Sequence, residues 1–154
     1  MLSDLPAFLQ LDDNLATSGQ PSEEQLAQVA QAGFQVVINL ALSHAEYSLK
    51  DEAVSVRQLG MEYIHIPVIW SAPGLPELQQ FFESMAANHD KKIYVHCAAN
   101  MRASVFVALY RIIRLGWRVE HALVEVLRIW TPDSTWQAFM ERALAAYGKT
   151  NQKD

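Results

Sequence analysis

The chain has 154 residues, of which 51% are hydrophobic and 19% charged, with a net charge of −5. This is ordinary globular usage, which excludes a disordered chain, a collagen and a coiled coil, and the length argues for one domain. The charge is unevenly spread: residues 1–90 carry twelve acids and two bases, residues 91–154 ten bases and five acids. Either these charges average out as solvated faces, or the second half forms a positive end that draws in a small anion. Neither reading suits nucleic acid, because the chain is acidic and has no basic run.

The longest apolar stretch, Val105 to Trp117, is broken by Arg111 and Arg114, so no segment is expected to span a membrane. The opening MLSDLPAFLQ has no basic region followed by an apolar run, and one cysteine cannot form an internal disulfide. Both features lead to the expectation of a cytoplasmic protein with no membrane partner.

In chain order, Asn14 to Thr17 is expected to add a short edge strand. Ser22 to Gln31 reads as a helix, opened by the Ser22–Gln25 capping box and stopped at Gly33. Phe34 to Leu40 is a β-branched run, read as a buried strand. A helix over Leu49–Leu59 stops at Gly60, and Met61 to Pro67 alternates as a strand. Pro76–Asn88 reads as a helix and Lys92–His96 as a further strand. Helices are then expected over 103–115, 119–130 and 134–147, with Gly148 and a polar tail, residues 149–154, behind them. Strands alternating with helices predict an α/β domain over residues 1–148, its central, mostly parallel sheet of four to five strands flanked by helices. Ligands in such sheets bind at the carboxyl ends of strands, which points to the residues directly after Val95.

Those residues run His96-Cys97-Ala98-Ala99-Asn100-Met101-Arg102-Ala103-Ser104, leaving a strand and opening a helix. Backbone N–H groups of Ala98 to Ala103 curling ahead of a helix make a nest for an oxyanion such as phosphate or sulfate. Arg102 adds a planar fork matched to phosphate oxygens. Helix N-terminus, nest and fork together favour a thiolate at Cys97, the arrangement that nucleophilic attack on a phosphate ester requires. No metal or cofactor is called for, and no His pair has the i, i+4 spacing of a zinc site.

The Val95-His96-Cys97 strand end resembles the protein tyrosine and dual-specificity phosphatase superfamily. With Ser18-Gly19-Gln20-Pro21 ahead of a helix, and the strands after Gly33 and Gly60, the chain is most similar to a bacterial family of that superfamily. That family occurs as single domains or fused to β-lactamase-like hydrolases. The resemblance covers Leu15 to about Phe139. It implies a cysteine-phosphatase-like fold and hydrolysis of a phosphate monoester or phosphoprotein through a cysteinyl phosphate. Cys97 would be the nucleophile, Arg102 and residues 98–104 the phosphate loop, and His96 a residue that orients it.

This chain departs from the superfamily pattern at several points. Four residues rather than five separate Cys97 from Arg102, a spacing shared by the bacterial family and by rhodanese. Asn100 replaces the usual Gly, and Asn is the non-Gly residue best suited to positive φ. Ala103 stands where the family has a hydroxyl bonded to the thiolate; Ser104 follows one step later. The loop that normally carries an Asp proton donor holds Trp70 and Ser71 instead, with Glu77 the nearest carboxyl, in a position typical of a first helical turn. Trp70 either stacks on an aromatic substrate or covers the core. His44, after the second strand, is a candidate substrate contact or an ordinary loop histidine. Glu46, Asp51, Glu52 and Asp133 lie on or beside helix starts, where such residues usually cap. Arg111, Arg114 and Arg118 read as a solvated helix face or, as the lesser reading, a surface for a phosphorylated partner. Two rivals follow from these departures: sulfur transfer through a persulfide on Cys97, and phosphate binding without efficient turnover.

Overall fold

The computed structural model describes residues 1–148; the predicted polar tail, residues 149–154, lies outside the described residues. Five strands form one sheet: β1 (Leu9–Asp12), β2 (Leu15–Ser18), β3 (Val36–Asn39), β4 (Glu62–His65) and β5 (Ile93–His96). Their order is β1-β2-β5-β3-β4. β1 runs antiparallel to β2, and the pairs β2–β5, β3–β5 and β3–β4 are parallel. The helices are α1 (Glu23–Gln31), α2 (Glu52–Gln58), α3 (Leu75–Ala87), α4 (Met101–Ile113), α5 (Val119–Ile129) and α6 (Ser134–Ala146). The α/β architecture is the one expected, a mostly parallel sheet flanked by helices.

The period-two alternation of the strands builds a separate core on each face. Val36, Ile38, Ile93 and Val95 point into the larger core, with Phe81, Phe106, Trp136 and Phe139. Val37, Ala16 and Tyr94 point the other way, against Leu26, Val29, Phe34 and Val56. α4 lies in the larger core and is buried without a break from Arg102 to Ile112. An apolar helix enclosed on all sides holds its own N-terminus firmly, which matters for the loop ahead of it.

Two elements differ from expectation. β2 is an interior strand, because β1 covers its outer side. The turn between them is tied by the Asn14 N–H donating to Asp12 Oδ1 at 2.7 Å, a local bond that makes a tight hairpin of Asp13-Asn14. α2 starts at Glu52 rather than near Leu49, with Asp51 as its N-cap, so the preceding loop is longer. Ser22 and Gln25 do form the capping box ahead of α1. Arg111 is buried, its guanidinium 4.2 Å from the Trp117 ring centroid and 3.7 Å from Asp12, so it does not belong to a solvated face. No helix among the described residues is long and apolar enough to cross a membrane.

The parallel register aligns Ser18, His96 and Asn39 across three central strands. All three strands stop together, so their following loops meet at one edge.

Candidate active site

Cys97 follows β5 directly and is 1% exposed. The chain turns at Asn100, with φ 65°, and enters α4 at Met101. This geometry carries the Ala103 N–H back to within 3.4 Å of Cys97 Sγ, as a donor. The backbone amide therefore bonds the sulfur at the position where a family hydroxyl was expected to. Ser104 is not a substitute for that hydroxyl, because its Oγ donates to the Met101 carbonyl at 2.9 Å within the helix.

Asn100 does more than tolerate the left-handed turn. Its Nδ2 donates to the Ala7 carbonyl at 2.8 Å and to Thr17 Oγ1 at 2.9 Å, tying the loop to the N-terminal segment and to β2. On the opposite side, the Gln20 N–H donates to the Ala98 carbonyl at 3.0 Å. A Cβ built on Gly19 would stand 2.5 Å from that same carbonyl oxygen, so only glycine permits this approach. Ala98 is half-buried and Ala99 exposed, at the tip of the loop.

Under the loop lies a buried polar pair. His96 Nε2 is 2.5 Å from Glu52 Oε2, and its Nδ1 is 3.3 Å from the Cys97 carbonyl. Gln20 Nε2 donates to the other Glu52 oxygen at 2.9 Å. Burial pushes the Glu52 carboxyl up, but the charge and hydrogen bond of His96 and the Gln20 amide outweigh it, leaving the group below its ordinary range. His96 therefore contacts both Glu52 and the backbone of Cys97. Glu52, read from sequence only as a helix-start acid, is its partner.

Arg102 is 5% exposed and already anchored. Its Nη1 donates to the Val68 carbonyl at 2.8 Å, and its Nη2 to the Tyr47 hydroxyl at 3.4 Å. Those two contacts bring the loop after β4 and the loop after β3 against the start of α4. Neither partner was singled out from the sequence. Val68 contributes only a backbone carbonyl, which leaves no mark on residue type.

Ser71 is exposed in a turn. Glu77 sits in the first turn of α3, and its carboxylate lies over the N-cap Gly74. Trp70 covers the core: its ring packs on Trp130 and Trp136 at centroid distances of 5.3 and 5.6 Å, and its carbonyl accepts from Trp136 Nε1 at 2.9 Å. Asp133 caps α6 by accepting from the Trp136 N–H at 2.9 Å. His44, at φ 64°, lines a cavity of about 650 Å³ with Lys50, Asp51, Glu52, Tyr63 and His65; neither Cys97 nor Arg102 lines it.

A sulfur facing a helix-terminal N–H, with a guanidinium on the same helical turn, is an arrangement chemically suited to a tetrahedral oxyanion. Several known proteins are similar to this chain. A DUF442 protein of Shewanella putrefaciens CN-32 is 34% identical and superposes with a TM-score of 0.84, over 95% of this chain and 96% of that one. PTPMT1, crystallised with PI(5)P, shares the fold at 14% identity and a TM-score of 0.77, over 92% and 97% of the two chains. A β-lactamase hydrolase-like protein of Xylella fastidiosa (strain Temecula1) is 28% identical over 109 residues, 69% of this chain. The match spans about a quarter of the length of that relative. Residues 9–148 match the family described as "DSP-PTPase phosphatase fused to NAD+ Kinase", and the chain belongs to that phosphatase family.

Proposed function

We propose that this chain hydrolyses phosphate monoesters through a cysteinyl-phosphate intermediate, with residues 1–148 as the catalytic unit. The observation that supports this best is the Cys97 Sγ held at 3.4 Å by the Ala103 N–H, one residue from the buried Arg102. Cys97 attacks phosphorus in line with the leaving oxygen. Arg102 and the loop amides of residues 98–103 hold the equatorial oxygens, whose charge rises toward the transition state. Water then displaces the sulfur. A cytoplasmic setting goes with this reading, because a reducing compartment protects a single reactive thiol from oxidation.

The substrate class we infer is an aryl phosphate, phosphotyrosine in a protein or a small ester. Such leaving groups suffer least from the lack of an Asp in the loop after β4. Family membership speaks for this lineage over sulfur transfer. Rapid acid quench of the protein with a ³²P-labelled aryl phosphate, followed by peptide mapping, tests the intermediate. Label is expected on the Cys97 peptide and absent from Cys97→Ser; turnover without that label would overturn the covalent mechanism.

A further inference from the structure

The loop after β4 carries no carboxylate, and the acids at the neighbouring helix starts are placed elsewhere. Glu77 covers Gly74, Asp133 caps α6, Asp51 caps α2 and Glu52 is bound to His96 beneath the loop. The titratable side chain that does touch Arg102 is Tyr47. Its half-buried ring packs on the larger core, and its phenol oxygen accepts from Arg102 Nη2 at 3.4 Å and from the Leu42 N–H at 3.3 Å. Among the described residues, no acceptor takes the phenolic hydrogen itself.

We propose that Tyr47 is the proton donor of this site, a role that rests on the phosphatase reading above. A phosphate held by the remaining Arg102 donors lies beside the group that Nη2 already touches. In-line attack by Sγ turns the leaving oxygen away from the sulfur; the assignment requires it to face Tyr47, the phenol that Arg102 Nη2 touches. As the S–P bond forms and the P–O bond breaks, the electron pair moves onto the leaving oxygen, which takes the phenolic proton. The resulting phenolate is stabilised by the Arg102 charge and the Leu42 N–H. In the second half, water attacks phosphorus and passes its proton to the phenolate while the thiolate departs.

Leaving-group dependence tests this. For Tyr47→Phe, kcat/KM is expected to fall about 100-fold or more on phenyl phosphate, but only a few-fold on 4-nitrophenyl phosphate, whose leaving group needs no proton. Equal losses on both esters would make Tyr47 a structural support for Arg102 and overturn the proposal. Wild type that turns over neither ester would instead overturn the phosphatase reading, and this assignment with it. Should Tyr47→Phe fail to fold, 3-fluorotyrosine at position 47 keeps both N–H contacts and acidifies the phenol. The ratio of the two ester rates is then expected to shift, and an unchanged ratio would contradict proton donation.

Discussion

The His96 ring and the Glu52 carboxylate meet at 2.5 Å directly beneath the loop that holds Cys97, with side chains 0% and 6% exposed. Removing one member of a buried pair strands the other without solvent. Glu52→Ala is therefore expected to destabilise the fold by about 3 kcal/mol, and Glu52→Gln, which keeps a hydrogen bond, by less. Urea denaturation of the two variants checks this order.

The same pair predicts an acid-dependent stability. The Glu52 carboxyl lies below its ordinary 4.5 in the folded chain, because the His96 and Gln20 contacts outweigh burial. The unfolded chain therefore takes up the proton first as pH falls. The pair's contribution is complete above pH 4.5 and is lost as pH drops through the lower folded value. The stability gap between wild type and Glu52→Gln should hold steady down to about pH 4.5 and close below it. Thermal denaturation from pH 3 to 7 measures the gap; one that widens in acid would contradict the assignment.

Gly19 presses on the Ala98 carbonyl so closely that a methyl group has no room. Gly19→Ala is expected to cost about 1–3 kcal/mol through overpacking of backbone on backbone. It also displaces Ala98, one residue from Cys97, so the loss of kcat/KM on 4-nitrophenyl phosphate should exceed what the unfolded fraction explains. Loss of stability with full specific activity would show that the loop absorbs the clash.

Asn100 combines a left-handed backbone with two side-chain ties. Asn100→Gly keeps the backbone and drops the ties; Asn100→Ala drops both. The alanine variant should be the less stable of the two by about 1 kcal/mol, with glycine itself below wild type by about 1–2 kcal/mol. Equal stabilities would mean that the turn conformation is not what Asn100 supplies.

Much of this site is written in local sequence. β-branched runs marked β3 and β5, glycines and a capping box marked the ends of α1, and the strand-Cys-Arg-helix order marked the loop. What was missed depends on contacts between distant segments. β1 is only four residues long and shows itself only through its hairpin with β2. Glu52 and His96 lie 44 positions apart, and Asp51-Glu52 carries the same pattern as any capped helix start. Arg111 sits on a helix with two other arginines and looked solvated. It is buried because the chain turns after α4 and lays Trp117 on its guanidinium. Arg102 stands out in the sequence as a candidate phosphate fork, but its hold on the Val68 carbonyl does not, since any residue at position 68 presents the same oxygen. Ser104 was assigned to the loop from proximity in sequence; helical geometry turns its hydroxyl back to Met101.

The central claim is that Cys97 and Arg102 together carry out phosphate-ester chemistry. Hydrolysis of 4-nitrophenyl phosphate from pH 5 to 8 by wild type, Cys97→Ser and Arg102→Ala tests it most directly. Turnover by wild type that either substitution lowers by a factor of about 1,000 or more is the predicted result. Turnover that survives Cys97→Ser, or a folded wild type with none, would contradict it.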